Sequence, residues 1–126
     1  MALTAKVRRV GNVAIVDLSG KVTLGENTGI LRDELRSLLS QGNKDIILNM
    51  AGVSYVDSAG LGELVGAYTT ATNQGGAVKL LHLQGKMKDL MQITKLHTIF
   101  PAFEDEQAAV KSFGTSAAGT TATSVS

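Results

Sequence analysis

The chain has 126 residues, 44% hydrophobic and 18% charged, proportions of one globular domain and too short for two ordinary ones. Twelve basic residues against eleven acidic ones leave a formal net charge of +1, so no overall field draws the protein to nucleic acid. Cysteine is absent, which excludes disulfides, thiolate zinc sites and cysteine nucleophiles. From the N-terminus, Lys6–Val10 and Val13–Ser19 read as two strands joined at Gly11-Asn12, a hairpin turn. Gly20–Asn27 reads as a loop. Helix one is expected over Thr28–Gln41, with Leu31, Leu35, Leu38 and Leu39 on one side and Gly42 as its stop. Asp45–Met50 reads as the third strand, a short and mostly apolar run.

Helix two is expected from Ser58 to Asn73, where Leu61, Leu64, Val65 and Tyr68 recur at i, i+3, i+4, i+7, and Gln74-Gly75-Gly76 breaks it. Ala77–Leu83 reads as a strand and Lys86–Thr94 as helix three, with Met87, Leu90 and Met91 inward. A short strand is expected near Ile99-Phe100, then a last helix over Glu104–Phe113 with three acids in its first turn. Gly114–Ser126 is built of Gly, Ala, Ser and Thr with one Val, a composition that predicts disorder. The domain is therefore expected over 1–113 and a tail over 114–126. Strand and helix alternate after an opening hairpin, which implies an α/β fold with a mixed, mostly parallel sheet.

Ser58 stands where a strand hands over to a helix. Asp57 or Ser58 falls at the helix N-cap, where free backbone N–H groups and the positive end of the dipole tolerate a phosphate. An Asp-Ser pair is also an ordinary helix cap. Ser58 lacks the Gly-x-Ser-x-Gly elbow, since Val56 holds the first glycine's place. Gly60-x-Gly62 lacks the third glycine of a dinucleotide fingerprint, and no lysine completes a phosphate loop. His82 and His97 have no metal-ligand spacing and read as structural residues. No enzyme, cofactor or metal is expected. Opposite the apolar stripe of helix two lie Gly62, Gly66, Thr69, Thr70 and Asn73. Two mid-helix glycines cost about 1 kcal/mol each. Either a partner's backbone approaches this face or another part of the domain crosses it; Gly60 likewise suits close contact. Met1–Lys6 lacks the apolar core of a signal peptide, and no apolar run reaches a membrane span, so a cytoplasmic protein is the expectation.

The order strand, Gly52-Val53-Ser54-Tyr55-Val56, Asp57-Ser58-Ala59-Gly60-Leu61-Gly62, helix resembles the signature of STAS domains, in particular the bacterial anti-sigma factor antagonists. Leu96–Phe103 and Glu104–Ala109 resemble that family's last strand and closing helix. The resemblance covers roughly residues 6–113. It implies a single STAS-like domain with a sheet of four or five strands flanked by about four helices, and phosphorylation at Ser58. It further implies that the unphosphorylated form binds an anti-sigma factor, itself a GHKL-type serine kinase, and frees a sigma factor. Phosphorylation would end that binding and a PPM-type phosphatase would restore it. The implied contact surface is Ser58 and the starts of helices one and two, with Asp57 assisting recognition or orienting the hydroxyl. With the small residues of helix two added, the expected partner-binding residues are Asp57, Ser58, Ala59, Gly60, Gly62 and Gly66. The implied alternative is a STAS scaffold subunit, in a stressosome-like assembly or a lipid ABC transporter. Ala59 replaces a second hydroxyl common at its position, which leaves Ser58 alone. Asn49 replaces a common aspartate, which would remove a negative charge near the site.

Overall fold

The turn at Gly11-Asn12 joins β1 (Thr4–Val10) and β2 (Val13–Val22) as an antiparallel pair with Val10 opposite Val13. Gly11 takes a φ of 61°, the left-handed conformation that glycine adopts without steric cost. The computed structural model describes residues 3–23 and 25–113; the expected tail at 114–126 lies outside them. β3 (Asp45–Val56), β4 (Ala77–Leu81) and β5 (Ala102–Phe103) add in parallel beyond β2, giving the order β1-β2-β3-β4-β5. Each parallel step needs a crossover, supplied by α1 (Glu26–Ser40), α2 (Ser58–Asn73) and α3 (Gly85–Ile93). Strand order advances one way and such crossovers are right-handed, so these three helices share a face of the sheet. α4 (Glu106–Lys111) packs on the other face. The architecture is the α/β one expected: five strands, mostly parallel, with four helices.

Alternation along the strands sorts the core. Val16, Leu18, Ile46, Leu48, Met50 and Leu80 meet the leucines of α1, Leu64 of α2 and Met87 and Met91 of α3. Ile15, Ile47 and Leu81 point the other way, toward Ala109 of α4. All four leucines expected inward on α1 are buried. Its end is a Schellman turn, with the Gly42 N–H donating to Leu39 O and the Asn43 N–H to Leu38 O. Gly75 and Gly76 repeat the arrangement after α2, donating to Thr72 O and Ala71 O. No helix among the described residues is long and apolar enough to cross a membrane.

Several boundaries differ from expectation for identifiable reasons. β2 runs on to Val22 and β3 to Val56, because the two strands stay paired past Met50 through two register shifts. Gly52 permits this, since a Cβ there would lie 2.8 Å from Leu18 O. α1 begins at Glu26 rather than Thr28. β4 stops at Leu81 because His82 turns left-handed, with a φ of 58°. Phe100, expected in a strand, follows a 3₁₀ turn at Leu96–Thr98 and is a buried plug, its ring edge-on to Tyr68 at 5.5 Å. The strand comes two residues later at Ala102–Phe103. α4 starts at Glu106 because the Asp105 carboxylate caps it, accepting from the Ala108 N–H at 3.0 Å.

α4 is tied to the sheet by polar contacts. Arg8 of β1 forms ion pairs with Asp17 of β2 and Glu106 of α4. Asn49 donates to the same Asp17 carboxylate at 2.8 Å. Lys79 donates to Ser112 and lies over the Phe113 ring at 4.3 Å. The Arg8 guanidinium holds both Asp17 and Glu106 below the ordinary carboxylate range. Their ionised forms thus stabilise the fold above that range, and the contribution is lost as pH falls through the lowered values. Arg8→Gln is expected to reduce the unfolding free energy by about 1 kcal/mol at neutral pH, measured by urea denaturation. The difference should vanish in strongly acidic buffer. A difference that persists with every carboxylate protonated would show that Arg8 acts through packing instead.

Candidate functional site

β3 delivers the chain to α2 across the end of β2. The Asp57 N–H donates to Val22 O at 3.1 Å, and Asp57 itself is extended, the usual backbone of an N-cap. Its carboxylate accepts from the Gly60 N–H at 2.9 Å. Asp57, not Ser58, is therefore the cap, and Ser58 is the first helical residue. Gly60 is buried, and a Cβ on it would lie 2.4 Å from Val22 O. Successive helical residues are separated by about 100°, so Ser58, two positions earlier, faces away from that contact. Ser58 is exposed; Asp57 and Ala59 are half-buried.

Positions four apart share a face. Gly62 and Gly66 are exposed and continue the line of Ser58 along α2. A Cβ at either would meet nothing among the described residues within 4 Å. The two explanations open for these glycines therefore divide. Gly60 is small because β2 crosses beneath it; it is buried, and its N–H is taken by Asp57. No described part of this domain crosses Gly62 or Gly66. The inward face of α2 also differs from the expected stripe. Gly60, Leu64, Ala67 and Ala71 are buried, while Leu61, Val65 and Tyr68 are half-buried along its flank.

A groove of about 420 Å³ opens beside Ser58, between the end of β3, the start of α2 and α3. Val53, Val56, Leu61, Met87 and Leu90 make it apolar, and Tyr55, 52% exposed, stands on its wall. Lys86 also lines it. A second groove of about 450 Å³ runs between α1 and α2 past Gly66, with Arg32 paired to Glu63 at 2.8 Å across it. Sequence reasoning found Asp57 and Ser58 but missed the α3 wall. The available signal was Tyr55, a large aromatic directly before the Val56-Asp57-Ser58 turn. Asn49 proves remote in orientation: it lies on the α4 face, paired with Asp17, whereas α2 covers the opposite face.

A five-stranded, mostly parallel sheet with its crossover helices on one face is the fold on which the comparisons bear. The family model of the STAS domain matches residues 4–109, and the chain belongs to that family. It is 33% identical to the anti-sigma-B factor antagonist of Bacillus subtilis, over 79% of this chain and 89% of that protein. Two solved structures share the fold. One is an anti-sigma factor antagonist from Mycobacterium paratuberculosis, with TM-score 0.79, 17% identity and coverage of 89% of this chain and 94% of that one. The other is the Bacillus cell fate determinant SpoIIAA in its phosphorylated form, with TM-score 0.69, 21% identity and coverage of 86% and 98%.

The glycines give a direct test of this geometry. Gly62→Ala and Gly66→Ala are each expected to stabilise the protein by about 0.5–1 kcal/mol, since alanine fits the open helix surface. Gly60→Ala should destabilise it by about 1–3 kcal/mol, because the added methyl meets the Val22 carbonyl. Thermal unfolding of the three variants checks the contrast; equal effects at all three sites would contradict it.

Proposed function

We propose that this protein is an anti-sigma factor antagonist whose binding is switched by phosphorylation of Ser58. The observation that carries the reading is the exposure of Ser58 in the first turn of α2, on the line of the open glycines Gly62 and Gly66. The names of its relatives point the same way, and one structure sharing the fold is of a phosphorylated form. In this reading the unmodified protein binds an anti-sigma factor and thereby frees a sigma factor. Asp57, Ser58, Ala59, Gly62 and Gly66 supply the contact surface, with Gly60 supporting it from below. The site of action is the cytoplasm.

The anti-sigma factor, a GHKL-type serine kinase, brings the ATP and the catalytic groups. The Ser58 Oγ attacks the γ-phosphorus, the bond to the β-phosphate oxygen breaks, ADP leaves and the hydroxyl proton passes to a base of the kinase. A PPM-type serine phosphatase hydrolyses the ester and restores the binding form. The domain itself contributes placement. Phosphate adds about −1.5 to −2 charges at neutral pH. On an exposed residue at a helix start, that charge meets backbone N–H groups and moves no core atom. A partner carboxylate or carbonyl about 5 Å away feels a repulsion of roughly 0.8 kcal/mol at bulk-water screening and ~3 kcal/mol at an effective dielectric near 20. With desolvation added, the complex weakens by about 10²-fold without either protein unfolding.

Incubation with ATP and the cognate anti-sigma kinases should add the mass of one phosphate to the wild type and none to Ser58→Ala. The phosphorylated protein should bind the anti-sigma factor about 10²-fold more weakly than the unmodified one, read by titration calorimetry. An unchanged mass with every cognate kinase would remove the reading and leave the scaffold role.

A further inference from the structure

The groove beside Ser58 contains the means to hold the phosphate once it is made. Among the described residues that line it, Lys86 is the single cation and Asp57 the single carboxylate. Asp57 is turned onto the Gly60 N–H. Lys86 stands exposed in the first turn of α3, a turn without acidic residues or a side-chain cap. No carboxylate among the described residues lies within ion-pair distance of it. Other lysines of this region are engaged elsewhere: Lys88 reaches Glu104 at 3.8 Å, and Lys79 is bound to Ser112 on the far face. The apolar Leu61, Met87 and Leu90 line the same groove.

We propose that Lys86 is the internal acceptor of the phosphate on Ser58, so that the modified side chain lies across the groove between α2 and α3 and covers it. The proposal rests on the Ser58 reading and extends it to the regulation of the same surface. A dianion beside Asp57 is driven away from that carboxylate, and the nearest uncompensated positive charge in its own groove is the Lys86 ammonium. Ser58 and Lys86 line the same groove, and the flexible four-carbon stem of lysine gives its ammonium a wide reach there. In the unmodified protein the groove is open to the proposed anti-sigma partner. In the modified one an ion pair spans it, and the same partner meets both a charge and a closed trough. Release then has two physical sources, repulsion and occlusion, rather than repulsion alone.

Phosphoserine placed genetically at position 58 of the full chain tests this without any kinase, so its outcome is separate from that of the mass experiment. The phosphorus NMR signal, followed through the second ionisation of the phosphate, reads its electrostatic surroundings. Besides Asp57 and Lys86, the neighbouring charges to consider are Asp89, one turn along α3, and Lys88. A lysine in contact favours the dianion, so Lys86→Gln should move the midpoint up by roughly half a pH unit. Lys86→Arg should restore the wild-type midpoint, and Lys88→Gln should leave it in place. The same midpoint in the wild type and Lys86→Gln overturns the proposal. So does an equal displacement by Lys88→Gln, which would show only the general field of α3.

Discussion

The carbonyl oxygen of Val22 is the point on which the site turns. It accepts the Asp57 N–H at the end of β3, and it lies so close beneath Gly60 that no side chain fits between them. These two contacts fix both the height and the rotation of the first turn of α2. With Gly60 held down on β2 and Asp57 capping the helix from the strand side, Ser58 has no direction left but outward. The exposure of the hydroxyl is thus a result of backbone packing two residues away, and it does not depend on any hydrogen bond made by the serine itself.

The sheet divides the molecule's tasks between its faces. On one side, α1, α2 and α3 bury most of the core and carry both grooves. On the other, α4 is fastened by Arg8, Asp17 and Glu106 and by Lys79 against Phe113. This separation explains Asn49. Placed beside Asp17 on the α4 face, an amide can donate to that carboxylate, whereas an aspartate would set two like charges together. The residue answers to the fastening of α4, on the face opposite α2.

The sequence was most legible where large apolar groups repeat. Leu31, Leu35, Leu38 and Leu39 mark the buried side of α1 correctly because each is bulky and none has a competing role. α2 was harder, since three of its buried positions are Gly60, Ala67 and Ala71, too small to stand out as a stripe. The third strand is expected to end at Met50, yet Gly52 lets β3 continue against β2. Phe100 drew the last strand toward itself because a buried aromatic in a plug and one in a strand look alike in sequence. Asp57 and Ser58 were readable because capping is a local pattern. The groove was not, because Lys86, Met87 and Leu90 reach it only through the packing of α3, which local periodicity does not encode.

One further feature bears on how copies of this chain meet. β1 lies at the rim of the sheet, with no strand beyond it among the described residues, and it carries Lys6, Arg8 and Arg9 within five residues of one another. A rim strand of that kind is the usual place for two molecules to join into a continuous ribbon. Here such joining would repeat Lys6 and Arg9 on both sides of the seam, Arg8 being already balanced by Asp17 and Glu106. Charge of one sign along that rim disfavours the ribbon, so residues of β1 far from the serine bear on whether copies of this chain associate.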